Sequence, residues 1–143
     1  MGSDSSPNLP LIGTTVAEGY AHWSPELRKE CDDNAYRGVL GQSLLKETDS
    51  SRIWETTLSP GERISVHRHV LDYFWICLTD GRVRQHTSDG TTREISYARG
   101  QTCHFRFSEG QYHLHDIKNI GDDVLSFLTV EMKDGANEPL QLP

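Results

Sequence analysis

The stretch that decides the fold runs from Gly61 to Gly81 and reads GERISVHRHVLDYFWICLTDG. Between its two glycines the segment is rich in β-branched and aromatic residues, which favour β-strands. Side chains alternate between the two faces of a strand, so His67 and His69 point the same way and lie about 7 Å apart along it. Two imidazoles in this arrangement can hold one metal ion between them.

A second His-x-His pair, His113 and His115, repeats this geometry later in the chain. If the two strands are neighbours, up to four imidazoles converge on one point. Imidazole nitrogen suits zinc, iron, nickel and copper, whereas manganese usually asks for carboxylate ligands as well. The two pairs therefore predict one divalent metal ion. Iron and zinc are the leading candidates, and nickel, copper and manganese stay open.

The rest of the chain from Gly41 onward is also patterned as short strands between turns. Dipeptides such as Asp80-Gly81 and Asp89-Gly90 are good turn formers. Strands are predicted over 52–58, 64–69, 73–78, 82–86, 94–97, 103–107, 113–118 and 124–132. Strands at such regular spacing are typical of a sandwich or barrel, so the predicted fold class is all-β.

The residues before the barrel, 1–40, are predicted to form an N-terminal extension to a barrel domain that covers 41–143. Up to about Tyr20 the extension lacks periodicity and is expected to be a mobile or loosely draped arm without a functional role. Ser24 and Pro25 then resemble an N-cap and a first helical proline, which predicts a short helix from Pro25 to Glu30. The strand-like segment from Gly41 to Thr48 is a candidate for pairing between protomers, so a homodimer is expected.

Composition excludes several classes of function. A chain of 143 residues fits one domain, and its net charge of -7 without a basic block makes nucleic acid an unsuitable partner. No apolar run reaches the roughly 18 residues that a membrane span requires. Three cysteines without a Cys-x-x-Cys pair are typical of a reducing compartment, so a cytoplasmic location is expected.

Two motifs of the chain resemble those of the cupin superfamily. The spacing of Gly61, His67, His69 and Gly81 is similar to that of the first cupin motif, and a looser second motif runs from Gly100 through Ser108-Glu109-Gly110 to His115-Asp-Ile-Lys-Asn119. The resemblance covers about residues 52–132. It implies a cupin barrel, which is a double-stranded β-helix or jelly roll, preceded here by the short helix and extension.

The resemblance also implies a set of metal ligands. His67 and His69 come from the first motif and His115 from the second. Counting forward from Gly110 selects His113 instead, so His113 is either a fourth ligand or a partner just outside the ligand set. The glutamate that the family usually adds is missing, because its two allowed positions hold Tyr73 and Phe74. A neutral three-histidine site is the expectation.

Three further residues are pocket candidates. Asp72 either reaches the metal or hydrogen-bonds the backbone near its turn. Tyr73 either lines a pocket or fills the barrel core. His104 is either close to the ion or faces solvent.

The resemblance implies a metal-dependent enzyme whose small organic substrate chelates the ion. Dioxygenase chemistry is the leading hypothesis, because three-histidine iron sites without the glutamate occur among cupin dioxygenases. A zinc-dependent cyclase, isomerase or hydrolase would use the same ligands as a Lewis-acid site. A non-catalytic cupin that binds a small molecule is the alternative from another class. No residue is assigned a catalytic role.

Overall fold

The computed structural model describes residue 10 and residues 12–143 of the chain. This part contains one helix and ten strands. In chain order the elements are β1 (Thr14–Ala17), α1 (Pro25–Asp33), β2 (Ser43–Glu47), β3 (Ser51–Leu58), β4 (Arg63–His69), β5 (Asp72–Cys77), β6 (Gly81–His86), β7 (Thr92–Tyr97), β8 (Thr102–Phe105), β9 (His113–Asn119) and β10 (Leu125–Met132). Every strand predicted from residue 52 onward is present, with its bounds shifted by at most two residues.

The strands form two antiparallel sheets. One sheet has the order β1-β7-β6-β9-β4, and the other has the order β2-β3-β10-β5-β8. Buried and partly exposed residues alternate along β10, as expected for a strand with one face on the core. Apolar side chains from both sheets pack into one cluster, which includes Leu58, Tyr73, Trp75, Val83, Ile95, Phe105, Ile117 and Phe127. The predicted all-β fold class is confirmed.

The helix α1 begins where the sequence predicts, because the Ser24 hydroxyl accepts a hydrogen bond from the backbone N–H of Leu27 at 3.1 Å. It ends at Asp33, three residues later than predicted. Cys31 of the helix packs against Val66 and Leu114, so the helix covers part of the outer face of the first sheet. Within the described part of the chain, no helix has the length and apolar character needed to cross a membrane.

The N-terminal arm differs from its prediction. Thr14–Ala17 form strand β1, which pairs antiparallel with β7 and so extends the first sheet by one strand. Residues 1–9 and residue 11, which belong to the same predicted arm, lie outside the described residues. The sequence did not predict β1, because three of its four residues are exposed. Without a buried face, the strand lacks the alternation of apolar and polar residues that marks a strand in a sequence.

Strand β2 lies at the edge of the second sheet, and all five of its residues are exposed. Leu44 and Leu45 are among the exposed large apolar side chains. An apolar edge strand of this kind is a template for pairing with another chain. We therefore expect a homodimer that Leu45→Lys shifts toward monomer in light scattering at matched concentration, while Leu78→Lys, at an exposed leucine outside β2, leaves it unchanged. A monomeric wild-type chain would contradict this expectation.

Glu131 places a carboxyl group on the buried face of β10. It accepts a hydrogen bond from the indole nitrogen of Trp54 at 2.7 Å. Burial nevertheless raises the pKa of Glu131 from 4.5 to about 7. The unfolded chain therefore loses this proton at a lower pH than the folded chain does.

This raised pKa predicts a stability that falls with rising pH. The contribution of Glu131 is fully present below pH 4.5 and is lost as the pH passes 7, so it should fall by about 2 kcal/mol between pH 5 and pH 8. Urea unfolding of the wild type and of Glu131→Gln at both pH values isolates this contribution from that of the histidines. The free energies of unfolding of the two proteins should differ by an amount that changes by about 2 kcal/mol between pH 5 and pH 8. A difference that stays constant with pH would contradict the assignment.

Candidate metal centre

The two His-x-His pairs lie side by side on strands β4 and β9. These strands pair antiparallel, with His67 opposite His115 and His69 opposite His113. The ring centroids of His67, His69 and His115 are 4.8 to 5.0 Å apart. One ligand nitrogen from each of these three residues lies within 4.8 Å of the other two. The structure thus brings three of the predicted ligands into one cluster.

His113 lies beside this cluster. Its ring centroid is 4.0 Å from that of His115 and 5.9 Å from that of His69. It is not part of the three-nitrogen group within the described residues. Its Nδ1 atom is buried and has no hydrogen-bond partner in the described part of the chain. His113 therefore lines the site without completing the compact ligand set.

Burial keeps these imidazoles neutral. The exposed fractions of His67, His69 and His115 are 2%, 4% and 3%. Loss of solvation lowers the pKa of His67 and of His113 to about 4, and it lowers the pKa of His69 and His115 well below 6.5. A neutral imidazole has a lone pair on one ring nitrogen, which is the state that binds a metal.

Each ring of the cluster is oriented by a different contact. His67 places its Nδ1 atom 2.8 Å from the backbone carbonyl of Ser65, which can only accept, so the Nε2 atom is left to bind an ion. The ring of His69 instead stacks on Tyr73, with centroids 4.1 Å apart and planes 17° apart. The third ring, His115, has its Nδ1 atom 3.1 Å from the side-chain oxygen of Gln85.

The donor set fits a divalent transition-metal ion. The Nε2 atoms of His69 and His115 are 3.1 Å apart. Two nitrogens that each lie about 2.1 Å from one ion, at angles of 90° to 110°, are separated by about 3.0 to 3.4 Å. Three neutral nitrogen donors with no carboxylate suit zinc, iron, nickel or copper better than magnesium or calcium. His67, His69 and His115 are the residues that would hold the ion.

The outer face of the first sheet supports the strand that carries His115. Asp116, the next residue in β9, accepts hydrogen bonds from Arg63 at 2.8 Å and from the backbone N–H of His86 at 2.7 Å. Burial disfavours its charge, but the hydrogen bonds from His86 and Arg63 outweigh burial and hold the pKa of Asp116 below its usual value. Asp116 therefore ties β9 to both neighbouring strands behind the cluster.

Asn119, the last residue of the second motif, fixes the turn after β9. Its side-chain nitrogen donates to the carbonyls of Leu58 and Asp123 at 2.9 Å, and its side-chain oxygen accepts from the N–H of Gly121 at 2.9 Å. The residue is fully buried. These bonds hold the end of β9, four residues beyond His115, in one position.

The cluster opens into a cavity of about 260 Å³ between the sheets. Apolar side chains from both sheets form much of its wall, and these include Tyr73, Trp75, Ile95, Phe105, Ile117 and Phe127. Polar side chains also line it, and besides the histidines these are Thr15, Glu18, Gln85, Thr87, Asp89, Thr91, Arg93 and Thr129. The ring of Tyr73 is sandwiched between His69 and Phe105, whose centroid lies 4.5 Å away on a nearly parallel plane. Tyr73 thus belongs both to the cavity wall and to the core.

Two of the predicted pocket candidates lie elsewhere. Asp72 accepts a hydrogen bond from the backbone N–H of Phe107 at 2.8 Å, and it is not among the residues that line the cavity. His104 is exposed and stacks on Phe74, with ring centroids 4.8 Å apart. Since residues of β5 and β8 alternate in direction, both side chains lie outside the space that Tyr73 and Phe105 line.

Sequence reasoning missed Gln85 and the arm as parts of this site. Gln85 is a polar residue on the buried face of β6, two residues after the fully buried Val83. A polar residue in the buried phase of a strand is a signal that could have selected it. The arm gives no comparable signal, because its place in the cavity wall depends on contacts with distant residues.

The arm lines the cavity at Pro10, Ile12, Thr15 and Glu18. Arg93 holds it there, because its guanidinium donates to the backbone carbonyls of Ile12 and Gly13 and, at 2.6 Å, to the hydroxyl of Thr15. Gly13 allows the arm to approach β7 closely. Its φ is +75°, and an added Cβ would lie 2.4 Å from the carbonyl oxygen of Glu94.

Comparisons with known proteins support the architecture. No protein-family model matches the sequence, and no curated protein matches it. A cupin domain from Bordetella pertussis Tohama I is similar in structure, with 22% identity, a TM-score of 0.56, and coverage of 64% of this chain and 90% of that chain. An RmlC-like cupin family protein with a double-stranded β-helix fold from Methanocaldococcus jannaschii has 22% identity and a TM-score of 0.52, over 63% of this chain and 76% of that chain.

A third solved structure, a protein with a double-stranded β-helix domain from Klebsiella pneumoniae, has 20% identity and a TM-score of 0.50. The match covers 67% of this chain and 78% of that chain. At these identities the likeness concerns the fold. The chain thus has the double-stranded β-helix fold of cupins, as its motifs implied.

The contacts of the arm predict that it limits access to the buried imidazoles. Arg93→Gln removes donors to the arm, and Gly13→Ala pushes it away from β7, so each change should raise the rate at which diethyl pyrocarbonate modifies His67, His69 and His115 by about tenfold. Peptide mass mapping of metal-free protein measures the rate at each histidine. Exposed His104 is the internal reference and should react equally in all variants.

Two matched variants control this measurement. Arg82→Gln removes an exposed arginine of the same sheet that pairs with Glu94 instead of the arm. Gly100→Ala introduces a side chain at a similar φ of +83° where no atom lies within 4 Å. Both controls should react like the wild type. If Arg93→Gln and Gly13→Ala left the modification rates of the three cavity histidines unchanged, the arm would not restrict access to them.

Proposed function

We propose that this protein is a metal-dependent enzyme of the dioxygenase type, which acts on a small organic substrate bound directly to the metal. The observation that carries the proposal is the cluster of three neutral, buried imidazoles that opens into a cavity between the sheets. An iron ion held there would supply a Lewis acid and a binding position for dioxygen. The residues of the chain bind the ion, orient the substrate and exclude water.

The neutral ligand set favours a substrate with anionic or chelating oxygen atoms. Three imidazoles leave the charge of a divalent ion uncompensated by protein, and Tyr73 stands where a glutamate ligand is usual in the family that the motifs resemble. Burial raises the pKa of Tyr73 well above 10, so its hydroxyl is neutral and adds no compensating charge. Oxygen donors from the substrate would supply that charge.

The cavity limits the size and polarity of the rest of the substrate. Its volume of about 260 Å³ exceeds that of a cavity of about 150 Å³ that holds benzene. Among the described residues, Arg93 is the cationic side chain in the wall, and its guanidinium is engaged by the arm. We therefore propose a substrate about the size of a single ring, in which the part that does not bind the metal is mainly apolar. A phosphorylated or polyanionic substrate fits this cavity less well.

Zinc chemistry is the second candidate, and the ligand set itself favours it. Three histidines with an open fourth position are an established ligand set for catalytic zinc. In that case the same residues would serve a cyclase, isomerase or hydrolase, in which the substrate oxygen is polarised.

Metal analysis of the purified protein, followed by nitric oxide binding, tests the proposal. We expect iron to bind in a 1:1 ratio and the iron(II) protein to give the S = 3/2 electron paramagnetic resonance signal of a nitric oxide adduct at an open site. Zinc at full occupancy would favour the second candidate. A protein that binds neither metal would contradict both and would favour a small-molecule-binding cupin without catalysis.

Variants of the histidines test the ligand assignment. We expect His115→Ala, and the pair His67→Ala with His69→Ala, to abolish measurable metal binding in a folded protein, because the apolar core supplies most of the folding free energy. His113→Ala should weaken binding by about 10- to 100-fold, as is typical for a residue just outside a ligand set. His104→Ala is the control and should bind like the wild type. The reverse order for His113 and His115 in a metal titration would contradict the assignment.

A further inference from the structure

The imidazole of His115 is joined to a buried glutamine. Gln85 lies on the inward face of β6, is buried, and places its side-chain oxygen 3.1 Å from Nδ1 of His115. Tyr97 lies near the same amide, and its hydroxyl is neutral because burial raises its pKa. An amide has one accepting oxygen and one donating nitrogen, so the oxygen of Gln85 is the end that can accept from a ring N–H of His115.

The oxygen of Gln85 determines the tautomer of His115. Because an amide oxygen can only accept, the Nδ1 atom of His115 must carry the ring proton, and its Nε2 atom keeps the lone pair. Backbone pairing holds the two segments together here, since Thr87 of the segment after β6 forms a β-bridge with His115. The ring is thus set by the strand that neighbours β9 on the side away from β4.

This tautomer also decides the state of His69. Its Nε2 atom lies 3.1 Å from Nε2 of His115, a distance at which two lone pairs would repel and one shared hydrogen bond is favourable. Since the proton of His115 is on Nδ1, the proton between the rings belongs to His69. The Nδ1 atom of His69 is buried without a partner in the described part of the chain, and it is then an unused acceptor in place of an unpaired N–H donor.

We propose that Gln85 is a positioning residue of the metal centre, which fixes the tautomer and orientation of His115 and through it the proton shared with His69. For metal binding this inference rests on the proposed function. An ion held at Nε2 of His115 would need no proton movement in that ring, whereas an ion held at Nε2 of His69 would need the proton of His69 to be on Nδ1. A neutral amide achieves this orientation without adding negative charge behind the ligand.

Nuclear magnetic resonance of the metal-free, full-length protein with ¹⁵N-labelled histidine tests the tautomer without any metal. We expect His115 to carry its proton on Nδ1 and His69 on Nε2. Gln85→Met, which removes the acceptor at similar volume, should abolish the single tautomer of His115. Gln101→Met is the matched control, because the Gln101 amide oxygen bonds the backbone of Ala98 in a turn. A proton on Nε2 of His115 in the wild type, or an unchanged tautomer in Gln85→Met, would overturn the inference.

Cobalt(II) titration separates the role of Gln85 from the existence of the metal site. Gln85→Met should weaken cobalt binding by about 10- to 100-fold, and Gln85→Glu, which keeps an acceptor at Nδ1, should restore it and shift the visible ligand-field bands. Equal affinity in the wild type and in Gln85→Met would overturn the positioning role. A wild-type protein that binds no cobalt would instead contradict the proposed function, while the tautomer measurement would still decide the assignment for His115.

Discussion

The pairing register of β4 and β9 is the constraint on which the rest of the site depends. His67 faces His115 and His69 faces His113 across one antiparallel ladder, so the two pairs meet on the same face of the sheet. A slip of one residue would turn the imidazoles of one strand to the outer face. Asp116 and Asn119 oppose such a slip, because the first ties β9 to its neighbours and the second fixes its end.

Crowding imidazoles inside the barrel carries an energetic cost that the fold has to offset. Burial of a polar group without a hydrogen bond is unfavourable, and both His69 and His113 have a buried Nδ1 atom without a partner among the described residues. The apolar cluster and the stacking of Tyr73 on His69 compensate for this cost in the surrounding structure. Polar groups retained in a core at such cost are typical of a functional site.

Much of the fold was predictable because its signals are local. The strands from residue 52 onward follow from alternation and from turn residues, and the same alternation places His67 and His69 on one face. Asp72 and His104 each had two interpretations from the sequence. The structure places both outside the cavity, because strand alternation turns them away from the face that Tyr73 and Phe105 share.

Contacts between distant residues explain what the sequence did not reveal. The strand at Thr14–Ala17 forms because β7 offers an edge and because Arg93, far along the chain, donates to the arm. Gln85 acquires its role because β6 pairs next to β9. The composition and the hydrophobic periodicity of these segments indicate neither contact. Both became visible only in the three-dimensional structure.

The two sheets contribute different chemistry to the cavity. The first sheet supplies the nitrogen donors and the amide of Gln85, and the second supplies aromatic side chains such as Tyr73 and Phe105. Changes in the aromatic wall can therefore alter which molecule fits without disturbing the register that assembles the imidazoles. Since one fold supports many activities through changes of this kind, the likeness to cupin structures establishes the architecture, whereas the activity depends on these side chains.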